Sequence, residues 1–194
     1  MAPAPTRVGV LALQGDFREH AAMVTALGAE PIEVRLPADL EGIDALIIPG
    51  GESTTIGKMA KSYGLVEPMR DLINSGLPTL GTCAGMIVLS SATTGADQQV
   101  LGVLDVVVER NAFGRQVDSF EELVSVDGLD EPLRAVYIRA PWIEKVGAAV
   151  EVLAETQGHP VVVRQKNVLA TSFHPELTTD TRIHRMLLDL VEEA

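Results

Sequence analysis

One short stretch limits this chain more than any other: Gly81-Thr82-Cys83-Ala84-Gly85. It follows an extended run, Pro78-Thr79-Leu80, and leads into an apolar run, Met86-Ile87-Val88-Leu89. A strand that turns directly into a helix through flanking glycines presents its central side chain at the tip of the turn, as in a nucleophile elbow. Here the tip is the only cysteine in the chain. A helix beginning at Ala84 points its unpaired N–H groups and positive dipole end at that sulfur. Both favour the thiolate, the reactive form. On these five residues alone a buried cysteine at a tight junction is the simpler account, because lone cysteines usually act as small hydrophobes. The rest of the chain decides.

Val8 to Leu13 is a continuous apolar run of strand length, which suits a strand covered on both faces. Gln14-Gly15 breaks it. Asp16 then caps a predicted helix whose apolar positions Phe17, Ala21, Val24 and Leu27 recur at helical spacing up to Gly28. Pro31 to Arg35 and Asp44 to Ile48 read as strands, with a loop from Leu36 to Gly42 between them. The third strand ends in Pro49-Gly-Gly-Glu-Ser-Thr-Thr55, where Ser53 or Thr54 can cap a helix through Ile56, Met59 and Ala60. Leu65 to Asn74 gives a further helix. Alternation of strand and helix predicts a three-layer α/β fold: a mostly parallel central sheet with helices on both faces. The second half changes character. Short valine-rich runs, Val103–Glu109, Glu122–Val126, Arg134–Ile138, Val150–Ala154 and Val161–Arg164, predict antiparallel additions with few helices. Val168 to Phe173 reads as a last strand. Thr179 or Asp180 then caps an amphipathic helix carried by Ile183, Met186, Leu187, Leu190 and Val191.

With 194 residues, 46% of them apolar, the chain reads as a single domain over 1–194 with a substantial core. One cysteine permits no internal disulfide, which fits a reducing compartment. The net charge is −12 and no basic cluster stands out, so nucleic acid is not an expected partner. The N-terminal residues lack the order of a signal peptide, and no apolar run approaches a membrane span. The expectation is a cytoplasmic protein that does not engage a membrane.

Binding sites in open α/β sheets lie at the carboxyl ends of the strands. That rule gathers Gln14, the Gly50-Gly51 loop and Cys83 at one edge. The glycine loop lacks the Gly-Lys-Ser/Thr end of a phosphate-binding loop. It reads instead as a tight turn or as a loop presenting bare N–H groups to a ligand. A thiol nucleophile needs a base, and the base needs an orienter. Of the four histidines, His20 and His184 fall within helices, where solvent-facing roles are the simple explanation, and His159 falls in a turn. His174 follows directly on a strand and precedes Pro175-Glu176. In an extended segment residues i and i+2 project to the same side, so Glu176 can hold one imidazole nitrogen and leave the other for sulfur. Taken alone, a strand-end histidine meeting solvent explains His174 equally well.

Together these residues resemble the class I (triad) glutamine amidotransferases, which carry a Gly-x-Cys-x-Gly elbow, an upstream glycine-rich oxyanion strand and a late His-Pro-Glu. Six motifs in order are similar to the glutaminase subunits of pyridoxal 5′-phosphate synthases. They are Leu11-Ala-Leu-Gln-Gly15, Pro49 to Thr55, Gly81 to Gly85, Val108-Glu-Arg-Asn-x-Phe-Gly-Arg-Gln-Val-Asp-Ser-Phe120, Ile138-Arg-Ala-Pro141 and Ser172-Phe-His-Pro-Glu176. The resemblance spans about Arg7 to Glu193. It implies that Cys83, His174 and Glu176 form the triad and that the N–H groups of Gly51 and Ala84 hold the oxyanion. It implies a glutamine pocket of Gly51, Glu52, Ser53, Arg110, Ile138 and Arg139, with Gln14 near the active site or a partner interface. It implies L-glutamine as substrate, no metal or other cofactor, and ammonia delivery to a synthase subunit in a large hetero-oligomer. Two alternatives stay open at this point: a glutaminase serving another synthase, and a non-enzymatic cysteine-bearing α/β stress or chaperone module.

Overall fold

The computed structural model describes residues 4–95, 98, 100–110, 112 and 119–193. Of the long Val108-to-Phe120 motif, Asn111 and residues 113–118 lie outside the described residues.

The first half alternates as its sequence predicts: β1 Arg7–Leu11, α1 Phe17–Ala26, β2 Glu30–Val34, β3 Ala45–Ile48, α2 Ser53–Ser62, α3 Val66–Asn74, β4 Thr79–Thr82 and α4 Ala84–Leu89. Within the stretch between β2 and β3, Pro37–Leu40 winds into one 3₁₀ turn. The second half adds β5 Ser90–Thr93, β6 Leu104–Glu109, β7 Ser119–Val124, β8 Leu133–Ile138, β9 Trp142–Val146, β10 Glu151–Thr156, β11 His159–Gln165 and β12 Val168–Thr171, then α5 Arg182–Glu193. Three sequence readings change here. Ser90–Thr93 and Trp142–Val146 are strands that the valine pattern did not mark, and both pair with β6. His159 opens a strand rather than sitting in a turn, and its ring stacks on Trp142 at 3.8 Å between centroids.

The central sheet has the order β10-β11-β12-β4-β3-β1-β2. From β12 to β2 every pair is parallel, whereas β10–β11 and β11–β12 are antiparallel. Side chains alternate between the two faces with the period of a strand. On β3, Leu46 and Ile48 enter the core packed with Ile56, Met69, Ile73 and Met86, while Ala45 and Ile47 enter the core packed with Val24, Ile183 and Leu187. The helices α2, α3 and α4 therefore cover one face, and α1 and α5 the other. The sheet formed by β5, β6 and β9 extends the first layer, and the β7–β8 hairpin lies over the second. Among the described residues no helix is long and apolar enough to cross a membrane.

The packing is tight where β4 enters α4. A Cβ on Gly85 would stand 1.9 Å from the carbonyl oxygen of Ile48 on β3. No rotamer relieves a contact between Cβ and backbone, so the strand and helix would have to separate. Gly85→Ala is expected to destabilise the fold by at least about 1–3 kcal/mol, as overpacking does, read as a lower urea midpoint at unchanged slope.

Candidate active site

Four consecutive members of the parallel sheet supply the site from their carboxyl ends. Gln14 follows β1, Gly50-Gly51 follows β3, Cys83 follows β4, and His174 follows β12. Together they open on a cleft of about 520 Å³ lined by Gln14, Gly51, Glu52, Ser53, Cys83, Ala84, Arg110, Ile138, Arg139 and His174, with Asp16 and Ile87. Every pocket residue named from the sequence thus lies in one cavity.

Cys83 has φ 49° and ψ −105°, a conformation rarely taken by residues with a side chain, and such strain concentrates at functional sites. Its N–H donates to the Thr171 carbonyl of β12 at 2.8 Å, which ties the strained turn to the neighbouring strand. Its sulfur is 4.0 Å from the carbonyl oxygen of Ile138 and shares the cleft with the His174 imidazole. Glu176 accepts from Nδ1 of His174 at 2.7 Å, and both residues are 4% exposed. The His-Pro-Glu segment is not extended, as its sequence suggested. Pro175–Leu177 forms a 3₁₀ turn, and that turn folds the carboxylate back onto the imidazole. Cys83 and His174 therefore face the same cleft, and Glu176 is joined to His174.

Asp16 departs from expectation. It precedes α1 but its side chain caps nothing. Instead its carboxylate stands 3.3 Å from Nδ1 of His174, and its N–H donates to the Gly50 carbonyl at 3.2 Å. Burial would lower the His174 imidazole, but its neighbours Asp16, Cys83 and Glu176 outweigh it and hold the group well above its ordinary value. Burial pushes the Glu176 carboxyl up against the pull of His174. Asp16, His174 and Glu176 each offer a ligand atom within 4.8 Å of one another, a spacing that a cation could use. Such a cation would compete with the Nδ1 proton that joins His174 to Glu176.

The glycine loop is held from both sides. The Gln14 side-chain carbonyl accepts from Glu52 N–H at 2.7 Å, and Gly51 has φ 148°, open only to glycine. A Cβ on Gly50 would stand 2.3 Å from Cε1 of His174, so this position packs directly on the imidazole. The cap of α2 is Glu52, not Ser53 or Thr54. Its carboxylate accepts from the N–H groups of Thr54 at 3.2 Å and Thr55 at 2.7 Å. Arg110 donates to Glu52 at 2.9 Å and to Thr54 Oγ1 at 3.1 Å. Ser53 and Thr54 donate instead to Gln98 Oε1, at 3.1 and 3.3 Å. Arg139, also on the cleft, has φ 45°.

Two histidines were misjudged from the sequence. His20 and His184 are buried, 0% and 1% exposed, and Nδ1 of His20 lies 2.8 Å from Nε2 of His184. A signal was present. His20 falls three residues after Phe17 and four before Val24, and His184 falls three before Leu187, so both occupy the apolar stripes of their helices. Asp16 and Gln98 carried no such signal.

The model of the family described as SNO glutamine amidotransferase matches residues 10–193. A Frankia alni protein named pyridoxal 5'-phosphate synthase subunit PdxT is 55% identical over 191 residues, covering 97% of this chain and 96% of that one. A Nocardioides protein of the same name is 56% identical over 200 residues, covering 100% and 99%. A solved structure described as a glutamine amidotransferase superposes with a TM-score of 0.92 at 55% identity, covering 95% of this chain and 98% of that one. A chain from the structure of PurLQS from Thermotoga maritima has a TM-score of 0.70 at 16% identity, over 98% and 99% of the two chains, and shares the fold.

The Glu52 cap has a pH signature. Partial burial would raise its carboxyl, but the Thr55 hydroxyl and the N–H groups of Thr55 and Thr54 pull it down to about 2. A depressed carboxyl contributes stability above its unfolded value, and that contribution fades as pH falls toward the folded one. Glu52→Ala is expected to cost about 0.5–1 kcal/mol at neutral pH, a low figure for a cap because the carboxylate is half exposed. In urea titrations the difference from the unaltered protein should hold down to about pH 4.5 and shrink below it.

Proposed function

The chain belongs to the SNO glutamine amidotransferase family, and we propose that it hydrolyses L-glutamine and passes the ammonia to a synthase subunit that makes pyridoxal 5′-phosphate. The observation that carries this reading is the hydrogen-bonded His174–Glu176 pair with Cys83 on the same cleft, which also presents Arg110 and Arg139. A thiol with a carboxylate-held imidazole suits acyl transfer, and two guanidiniums suit the carboxylate of a free amino acid. The PdxT name of the relatives supports the choice of synthase.

In this reading the Cys83 sulfur, its proton already on His174, attacks the side-chain amide carbon of glutamine. The oxyanion is held by the N–H groups of Gly51 and Ala84, where losing one donor costs about a hundred- to a thousandfold in rate. His174 returns the proton to the nitrogen, the C–N bond breaks, and ammonia leaves a glutamyl thioester. Water, losing a proton to His174, then attacks the thioester, and glutamate departs as the thiol is restored. Glu176 fixes the imidazole tautomer and balances the imidazolium. Gly51, Glu52, Ser53 and Ile138 complete the pocket, with Glu52 offering a counter-charge to the substrate ammonium. Gln14 holds the Gly51–Glu52 peptide in place and bears on the partner interface.

Ammonia free in neutral water is mostly ammonium, which is not nucleophilic, so direct transfer to a docked synthase is the productive route. Glutamine turnover is therefore expected to rise when the cognate synthase is added. Cys83→Ala should lower it by about 10³-fold or more in either condition. Turnover retained in that variant contradicts the triad assignment. Co-purification with a different acceptor protein favours a glutaminase of another amidotransferase.

A further inference from the structure

Behind Glu176, on the side away from the cleft, lies a buried polar cluster to which the reaction above gives no part. His20 comes from α1, His184 from α5 and Thr82 from β4, and they meet the 3₁₀ turn that carries Glu176. Nε2 of His20 is 3.1 Å from Thr82 Oγ1 and 3.4 Å from Glu176 Oε2. Nδ1 of His20 is 2.8 Å from Nε2 of His184. Two enclosed imidazoles in an apolar layer carry a desolvation cost that leucine or phenylalanine would avoid.

The protons in this cluster can be counted. Nδ1 of His184 is buried without a hydrogen-bond partner. An unpaired buried acceptor is more readily tolerated than an unpaired N–H, so the His184 proton belongs on Nε2. It is then donated to Nδ1 of His20. His20, neutral and already accepting at Nδ1, carries its own proton on Nε2, which points toward Thr82 and Glu176. Burial, reinforced by His184 and His174, holds His20 well below its ordinary value, and burial lowers His184 to about 4, so both are neutral at physiological pH. Donors therefore run one way, from His184 to His20 and on toward the Oε2 face of Glu176. On its other side Glu176 accepts from His174, which faces Cys83.

We propose that His20, backed by His184, is a positioning residue of the triad that presents its Nε2–H to the second oxygen of Glu176 so that the first stays on His174. Oε2 of Glu176 is buried and makes no hydrogen bond among the described residues, and Nε2 of His20 stands 3.4 Å from it. Without His20 that oxygen loses the ring nitrogen 3.4 Å away, and the carboxylate is free to turn or take up a proton. Other charges reach the same groups. Asp16 opposes ionisation of Glu176 from the loop before α1, Cys83 and Asp16 act on His174, and Glu19, Arg134 and Asp180 line the outer cavity beside Glu176. None of these offers a buried N–H to Oε2.

The role assigned to His20 rests on the glutaminase reading, and two measurements separate its failure from failure of that reading. The first is glutamine turnover across pH with the cognate synthase present. His20→Leu, which keeps bulk and loses the donor, should lower kcat about ten- to a hundredfold, the worth of a hydrogen bond to a charged group. KM should stay unchanged, and the acid limb of kcat/KM should move to higher pH, because Glu176 then protonates more readily. His20→Gln, whose amide N–H reaches near the position of Nε2, should restore most of kcat and return the acid limb. Equal losses in both variants with an unmoved acid limb make His20 a packing residue only and overturn the proposal. So does wild-type behaviour in both. The second measurement is the tautomer of His20 in the unaltered protein, from long-range ¹H–¹⁵N spectra between pH 6 and 8. A proton on Nε2 supports the proposal and a proton on Nδ1 overturns it, whether or not glutamine is turned over and whether or not the leucine variant folds.

Discussion

The turn from β4 into α4 requires Cys83 to adopt a positive φ and requires Gly85 to lie against the backbone of β3. A strained residue of this kind costs about 1–3 kcal/mol and persists only where its surroundings over-determine it. Here they do. The Cys83 N–H is held by Thr171 of β12, Thr82 is wholly buried beside it, and every residue of α4 is buried. The strain sits at the carboxyl end of the middle strand of the seven-stranded sheet. Strand order then determines what can reach the sulfur. The strand on one side ends at His174, and the strand on the other ends at Gly50 and Gly51.

Charge is handled by enclosure and pairing. Glu176 is buried enough that its carboxyl is pushed up, and it is useful only if neighbours favour the ionised form. His174 provides one such contact at 2.7 Å, with Asp16 as a second, half-exposed carboxylate 3.3 Å from the same nitrogen. Two acids on one imidazole nitrogen divide the work. The buried one sets orientation, and the half-exposed one adds negative potential beside the imidazole. Glu52 ties the start of α2 to Arg110, which places a cation on the cleft.

Much of this was legible in the sequence, and the part that was not has a physical reason. Glycines at fixed distances from Cys83 and the sequence His-Pro-Glu are local signals, and the parallel sheet rule brings together segments up to 160 residues apart, from Gln14 to His174. The His174–Glu176 contact was foreseen by a wrong route, since a 3₁₀ turn makes it rather than an extended segment. Ser53 was a fair choice for a cap by residue preference, but Glu52 takes that place because its longer side chain reaches the N–H groups of both Thr54 and Thr55. Strands β5 and β9 escaped notice because their pairing with β6 is a tertiary matter, with no alternating pattern of their own. His20 and His184 were on apolar stripes, yet histidine is so often exposed that the stripe was discounted. Their meaning depends on a contact across 164 residues that no local pattern carries.

The central claim is that Cys83 is a nucleophile for the side-chain amide of glutamine, and covalent capture addresses it most directly. The protein, with its cognate synthase, is treated with an electrophilic glutamine analogue, and the peptides are analysed by mass spectrometry. A single adduct on Cys83, suppressed by excess glutamine, is the predicted result. No adduct at Cys83 with the partner present, or an adduct that glutamine does not suppress, contradicts the account.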